Sequence, residues 1–123
     1  MNYNFDDSRP IYIQVAEKLE KKILQGQYHP GQKLLNPKEL AIELTLNPNV
    51  MEKSIIELEK TGLVYKNRED NIVVTEDLQL ISDIQVEKSF LMAKEFIEKV
   101  KEFKINKEAK DKLMEKIKEA LNE

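Results

Sequence analysis

The chain has 123 residues and no cysteine, and its 20 Lys or Arg against 23 Asp or Glu give a formal net charge of −3. This length suits one domain or a small domain with an appendage, and no apolar run reaches the roughly 18 residues that a membrane span needs. The acidic start of the chain lacks the apolar segment of a signal peptide, so we expect a cytoplasmic protein, and the lack of cysteine agrees with a reducing compartment.

The N-terminal region is predicted to hold a loose arm, residues 1–9, followed by a first helix from about Ile11 to Gln25. Gly26 and the His-Pro-Gly turn at residues 29–31 end this helix. Apolar residues recur along it at spacings of four, and we expect them to face the core. These residues are Ile11, Val15, Leu19 and Ile23.

A short strand and a second helix are predicted next. Lys33 to Leu35 are expected to pair with a later hairpin. The helix is predicted to begin at Asn36 or Pro37, because Asn caps helices well and Pro suits the first helical position. Its predicted core residues are Leu40, Ala41 and Leu44.

Residues 47–65 are the most informative stretch of the chain. Asn47 is a good N-cap, Pro48 can open a third helix, and Gly62 can end it in the left-handed conformation. Apolar residues at spacings of four and three give this helix one buried face. They are Met51, Ile55 and Leu58.

Two short strands are predicted after the third helix, near residues 63–67 and 71–75. The pattern is therefore a capped helix that passes through a glycine directly into a hairpin. Winged helix-turn-helix domains join their recognition helix to their wing in this way, and that helix lies in the major groove of DNA. The pattern indicates a nucleic-acid-binding protein.

The character of the chain changes near residue 78, which divides a predicted winged domain, residues 1–77, from a tail, residues 78–123. The tail is predicted to form two amphipathic helices, the second capped by Asn106. Such helices must bury their apolar stripes, either on their own winged domain or, as we expect, on a second copy around a two-fold axis. The residues expected at this homodimer interface are Ile84, Leu91, Phe96, Ile97, Val100, Leu113 and Ile117.

Five motifs occur in an order and spacing that resembles the GntR family of bacterial transcription regulators. They are Pro-Ile-Tyr-x-Gln at 10–14, Gly-x-x-x-Pro-Gly at 26–31, Glu-Leu-Ala at 39–41, Asn-Pro-Asn at 47–49 and Leu-Glu-x-x-Gly-Leu at 58–63. The resemblance covers about residues 9–76 and is closest to the short YtrA-type subfamily. It implies a mainly α fold with a small β-wing, namely a winged helix-turn-helix plus a C-terminal two-helix dimerisation tail.

The same resemblance implies a dimeric, sequence-specific repressor that binds a pseudo-palindromic operator of double-stranded DNA. Each recognition helix would enter a major groove while the wing touches the flanking backbone. YtrA-type relatives often lie beside genes for ABC transporters, which implies a transporter operon as the target. The residues implied to bind DNA are Asn36, Lys38, Asn47, Asn49, Val50, Glu52, Lys53, Arg68 and Asn71.

Several of these positions depart from the family's usual residues. Lys38 and Lys53 stand where relatives have Arg, which keeps the charge but loses the bidentate fork. Val50 replaces a hydroxyl that bonds a phosphate. Glu52 brings a negative charge to the groove-facing side, where it either accepts from cytosine N4 or repels phosphate.

The wing departs most, because the family's Arg-Gly-x-Gly is replaced by Arg-Glu-Asp-Asn at residues 68–71. Asn71 tolerates the left-handed conformation that a tight hairpin needs. Residues 1–78 hold 10 Lys or Arg and 13 Asp or Glu, so any positive face must be local. A second interpretation therefore stays open, in which the winged helix has lost operator binding and acts as a protein-interaction module.

No pattern in the sequence indicates catalysis or a cofactor, so we expect a protein that is not an enzyme. The chain has no Cys, no Gly-x-Ser-x-Gly, no P-loop and no Gly-x-Gly-x-x-Gly. His29 is the single histidine and lies in a turn, without the clustered ligands of a metal site. The two tail helices are too short to enclose a pocket of ~300 Å³, so a small-molecule effector would have to bind at an interdomain or dimer interface.

Overall fold

The computed structural model describes residues 5–123 and has the mainly helical fold with a small β-wing that the sequence predicts. In this part of the chain, five helices accompany one two-stranded antiparallel sheet. Each of the five predicted helices is confirmed. The elements in chain order are α1 (Ile11–Leu24), α2 (Pro37–Glu43), α3 (Pro48–Thr61), β1 (Val64–Lys66), β2 (Ile72–Val74), α4 (Leu78–Lys101) and α5 (Lys107–Leu121).

α1 buries the apolar stripe that its spacing predicts, with one exception. Val15, Leu19 and Ile23 are buried, but Ile11 is 47% exposed, so its predicted inward position is wrong. Each step of four residues turns about 40° around a helix. The stripe therefore drifts away from the core at the first turn, and Gln14 takes the buried position there.

Residues 5–9, the described part of the predicted arm, are hydrogen-bonded to α1. Gln14 Oε1 accepts from the backbone N of Asp6 at 2.7 Å, and Gln14 Nε2 donates to the carbonyl oxygens of Asp6 and Arg9 at 2.7 and 2.9 Å. A buried side-chain amide needs such partners, which explains how Gln14 is accommodated. Residues 1–4 of the predicted arm lie outside the described residues.

α2 and α3 form the helix-turn-helix, and both begin as predicted. Asn36 Oδ1 accepts from the backbone N of Glu39 at 2.9 Å, and Asn47 Oδ1 accepts from the backbone N of Asn49 at 2.8 Å. Each cap satisfies a backbone donor that has no partner within its helix. The predicted core residues of both helices are buried: Leu40, Ala41, Leu44, Met51, Ile55 and Leu58.

The chain leaves α3 through Gly62, which is left-handed at φ 83° as predicted. β1 then pairs with β2 in an antiparallel register that places Val64 opposite Val74 and Lys66 opposite Ile72. Val64, Ile72 and Val74 are buried, so the wing is attached to the core by one of its faces.

The predicted strand at residues 33–35 is present only as a single bridge from Lys33 to Val73. Leu34 N also donates to Ile72 O at 2.7 Å, so this segment does lie beside β2. It does not extend further because Pro37 starts α2 two residues after Leu35.

The described chain divides into two compact units, one ending at Gln85 and the other comprising Val86–Glu123. The division falls inside α4 rather than in the loop before it. In the first unit, Ile81 is buried in the core, and Gln85 Nε2 donates to Leu24 O at 2.8 Å. In the second unit, Asn106 caps α5 as predicted, and its Oδ1 accepts from Ala109 N at 2.8 Å. Within residues 5–123, no helix has the length and apolarity to cross a bilayer.

Gly62→Ala is expected to destabilise the protein more than Gly26→Ala. Both glycines have similar positive φ, 83° at Gly62 and 79° at Gly26. A left-handed alanine costs about 1 kcal/mol, and this cost applies equally to each substitution. A Cβ at residue 26 meets open space, whereas one at residue 62 lies 3.0 Å from Leu80 Cδ2. Urea unfolding should show a loss of about 1 kcal/mol for Gly26→Ala and about 2 kcal/mol for Gly62→Ala. Equal losses would mean that Leu80 gives way without cost.

Candidate nucleic-acid interface

α3 has one side in the core and the opposite side in solvent. Ser54 is fully buried among the apolar residues of the inner side. Its Oγ lies 2.9 Å from Tyr12 O and 2.8 Å from Val50 O, the two acceptors for its hydrogen. The bond to Tyr12 O fixes α3 against α1. The outer side of α3 carries Asn49, Glu52, Lys53 and Ile56, which are all exposed.

The predicted DNA-binding residues at the starts of α2 and α3 fall into two groups. Asn36 and Asn47 use their Oδ1 atoms as helix caps, which leaves the Nδ2 groups as the donors that a phosphate could accept from. Lys38 and Asn49 are exposed and lie in the first turns of their helices.

Val50, also implied to bind DNA, is not among these exposed residues. Its side chain is partly buried and packs against the core of the first unit. It precedes the fully buried Met51 by one position, which is about 100° around the helix, so it lies at the edge of the buried side. Burial of the Val50 side chain stabilises the fold. This explains why an apolar residue occupies a position that is implied to contact phosphate.

Lys53 is exposed and lies over the ring of Tyr12 in α1, with Nζ 5.8 Å from the ring centroid. At such a distance the ring attracts the ammonium group weakly, so the cation is directed toward the N-terminal end of α1. Lys60, near the other end of α3, is instead held by Glu57 Oε1 at 2.8 Å, and this hydrogen bond raises the pKa of Lys60. The two lysines of α3 therefore have different partners.

Glu52 is paired with Lys66, the last residue of β1, at 3.2 Å between Oε2 and Nζ. This ion pair joins the exposed side of α3 to the wing. Sequence reasoning missed Lys66 because the two residues lie 14 positions apart. The available signal was strand alternation, which puts Lys66 on the same face of β1 as the core residue Val64.

Asn67 organises the turn of the wing, and it too was missed. Its Oδ1 accepts from the backbone N of both Glu69 and Asn71 at 3.0 Å. The left-handed residue of the turn is Asp70, at φ 64°, and not Asn71 as predicted. Asp shares with Asn the short polar side chain that tolerates this conformation. An Asn at the start of a five-residue turn was the signal that could have found this role.

The acidic side chains of the wing are partly compensated by nearby lysines. Glu69 Oε2 lies 3.9 Å from Lys33 Nζ, and Asp70 Oδ1 lies 3.9 Å from Lys66 Nζ. Arg68 is exposed and has no hydrogen bond or ion pair within residues 5–123. Exposed pairs at such distances are weak, so the tip of the wing presents one unpaired cation between loosely paired carboxylates.

The predicted dimerisation residues divide between the two units. Ile84 is partly buried and packs against the core of the first unit, so its contact with a second copy stays a prediction. In the second unit, Leu91 and Phe96 are about half exposed, at 52% and 45%. An open groove of about 680 Å³ runs between α4 and α5. Predicted residues that line it are Phe96, Ile97, Val100, Leu113 and Ile117.

Comparison with protein families shows that the chain is similar to known bacterial regulators. The family described as "Bacterial regulatory proteins, gntR family" matches residues 11–74, which hold the helix-turn-helix and the wing. YhcF of Bacillus subtilis, an uncharacterized HTH-type transcriptional regulator, is 27% identical over 88% of this chain and 89% of its own length. YtrA of the same organism, an HTH-type transcriptional repressor, is 34% identical over 57% of this chain and 54% of its own length.

Solved structures agree with the family match. A GntR family transcriptional regulator from Listeria monocytogenes is 34% identical with a TM-score of 0.72, and the match covers 91% of this chain and 98% of that one. The DNA-binding domain of AraR, solved in complex with operator ORX1, is 26% identical with a TM-score of 0.50. That match covers 61% of this chain and 92% of the AraR chain.

Asn67→Ala is expected to loosen the turn of the wing. The substitution leaves the backbone N–H groups of Glu69 and Asn71 without their acceptor, and each lost hydrogen bond costs about 1 kcal/mol. Hydrogen exchange of these two amides should accelerate while the amides of α1 stay protected. Asn67→Asp keeps the acceptor oxygen and is the matched control. Unchanged exchange in Asn67→Ala would show that the turn does not depend on this side chain.

Proposed function

The chain belongs to the gntR family of bacterial regulatory proteins, and on that basis we propose that it is a homodimeric repressor of transcription. It is a transcription regulator with a DNA-binding winged helix-turn-helix domain, as its family and its relatives are. We propose that it acts in the cytoplasm on a pseudo-palindromic operator of double-stranded DNA. The observation that carries this proposal is the exposed polar side of α3, joined to the wing by the Glu52–Lys66 pair.

The proposed DNA contacts follow from the side chains that α2, α3 and the wing expose to solvent. The exposed side of α3 is proposed to enter the major groove, which is wide enough for a helix, with Asn49 and Glu52 toward the base edges. Lys38, Lys53 and Arg68 are all exposed and supply cations for the phosphates. Further donors are proposed to be the side-chain amides of Asn36, Asn47 and Asn71. AraR, a structural neighbour, is known in complex with its operator, which supports this mode of binding.

Dimerisation is proposed to occur through the part of the tail that forms the second unit, Val86–Glu123. Here α4 and α5 leave large apolar side chains half exposed or more, including Leu91, Phe96 and Met114. Large apolar side chains that are left exposed together on one unit favour an interaction site. A second copy presents the same surface around a two-fold axis, and two half-sites of DNA then match two recognition helices.

Repression and the nature of the target are supported by likeness alone. One relative, YtrA, is named as a repressor, and the resemblance of this chain to YtrA-type regulators favours a transporter operon as the target. A gel-shift series with DNA from upstream of the chain's own gene, at two salt concentrations, tests the proposal. A shift that unlabelled random duplex does not compete away is the expected result.

A protein-interaction module is the second candidate, and the acidic wing favours it. Glu69 and Asp70 are exposed at the tip, where a DNA-binding wing gains from positive charge. The gel-shift series separates the two candidates, because an interaction module gives no shift with any duplex at the lower salt concentration.

DNA binding is expected to be only moderately sensitive to salt. Each subunit offers three exposed cations to the phosphates, namely Lys38, Lys53 and Arg68. For a dimer they predict a slope of log K against log salt of about −5. Lys53→Ala removes one contact per subunit and should make the slope less steep by about 2 while weakening all sequences alike. Lys60→Ala is the control, since Lys60 is paired with Glu57 at the other end of α3. A slope beyond about −9 would reveal further cationic contacts.

Phe96→Lys is expected to convert the dimer into a monomer at micromolar concentration. The change places an ammonium group in the proposed interface, where it is buried without a partner. Glu95→Lys adds the same group one position away, where the side chain is 81% exposed, and should remain dimeric. Sedimentation velocity measures the state, and circular dichroism confirms that the helices are intact. A folded monomer for the unmodified chain at this concentration contradicts the proposal.

A further inference from the structure

Lys66 occupies an unusual position for a surface lysine. Its partner in the sheet is the fully buried Ile72, and its side chain is only 27% exposed, against 66% for Lys60 on α3. The aliphatic part of such a side chain can lie along apolar surface while its ammonium group reaches water. In this structure the ammonium group emerges between two carboxylates, 3.2 Å from Glu52 Oε2 and 3.9 Å from Asp70 Oδ1.

The contact with Lys66 uses only one of the two carboxylate oxygens of Glu52 and leaves the other able to accept a hydrogen bond. Lys66 bonds to Oε2, and no donor within residues 5–123 is bonded to Oε1. A carboxylate has lone pairs on both oxygens and can accept from two donors at once. Glu52 lies on the exposed side of α3, three positions after Asn49 and therefore on the same side of the helix. Its second oxygen is thus presented on the surface proposed to face the bases.

The ion pair also changes the charge that DNA meets. A lone carboxylate at the groove is repelled by the phosphates, whereas a carboxylate bonded to an ammonium group forms a pair with no net charge. We propose that Lys66 is a positioning residue that orients and neutralises Glu52, and that Glu52 reads a cytosine in each half-site through Oε1. This inference rests on the proposed function, because it needs DNA in contact with the exposed side of α3.

The chemistry of the major groove makes cytosine the base that a carboxylate selects. Only cytosine and adenine offer an amino donor there, at N4 and N6. Adenine places the acceptor N7 beside its donor, and that atom repels a second carboxylate oxygen. Cytosine has no such acceptor on this edge. A glutamine at the same position, with an acceptor and a donor, fits adenine instead.

The test begins with selection from a pool of randomised DNA duplexes. The full-length wild-type chain should enrich a C·G pair at one position in each half-site, with a preference of about tenfold over the next base. Glu52→Gln should move that preference to A·T at the same position. Thermal unfolding of each variant is measured alongside, and little change is expected because Glu52 is exposed.

A double-mutant cycle then isolates the part of Lys66. Lys66→Met should reduce the preference for C·G by about tenfold, because Glu52 is no longer oriented. It should also weaken binding to random duplex, because the negative charge of Glu52 is no longer compensated. Lys66→Arg keeps a donor and a positive charge and should restore the preference. In the Glu52→Gln background, Lys66→Met should change little, since a positioning residue acts only through its partner. Glu57→Gln and Lys60→Met, which break the other ion pair of α3, are the matched controls.

Each contrary result has a distinct meaning. If Lys66→Met weakens binding equally in both backgrounds and reduces the salt slope, Lys66 contacts a phosphate directly and the positioning role is overturned. If Glu52→Gln leaves the selected sequence unchanged while wild type still binds DNA, the inference fails and the proposed function stands. If wild type enriches no duplex at all, both fail together.

Discussion

The rest of the structure depends on the burial of one side of α3. Met51, Ile55 and Leu58 enter the core, and α3 contacts α1, α2 and β1. Full burial of an aliphatic side chain contributes about 1.5–3 kcal/mol, so this side cannot turn outward. The buried hydroxyl of Ser54, bonded to Tyr12 O, adds a directional contact that apolar packing lacks. The orientation of α3 about its own axis is thereby fixed, and with it the set of side chains that faces solvent.

Charge is compensated locally on this surface and is not concentrated with one sign. The pairs Glu52–Lys66 and Glu69–Lys33 each hold a carboxylate near an ammonium group. Exposed pairs of this kind contribute little to stability. Their larger effect is on the potential that an approaching polyanion meets. An acidic chain can therefore present a nearly neutral surface to the DNA that it is proposed to bind. On such a surface, hydrogen-bond geometry would matter more for selecting a sequence than long-range attraction does.

Sequence reasoning succeeded for features that are local along the chain and failed for those set by tertiary contacts. The caps Asn36, Asn47 and Asn106 and the left-handed Gly62 follow from preferences within a few residues, and the structure has all four. The core stripes follow from helical periodicity. By contrast, the Glu52–Lys66 pair depends on how β1 lies against α3. Strand alternation indicates the face of β1 on which Lys66 lies, but it does not identify Glu52 as the partner.

The errors have the same origin. Ile11 was predicted to face the core by periodicity, yet it is 47% exposed. Val50 and Ile84, predicted to contact DNA and a second copy, both pack against the core of the first unit. A repeating pattern shows that a helix has an apolar side, but it does not show which neighbour covers each part of that side. In α4, Ile81 and Ile84 are covered within the first unit, whereas Phe90, Leu91 and Phe96 are about half exposed. Since helices are stable in proteins mainly through the packing of such sides, the exposed part is where the proposed second copy would contribute most.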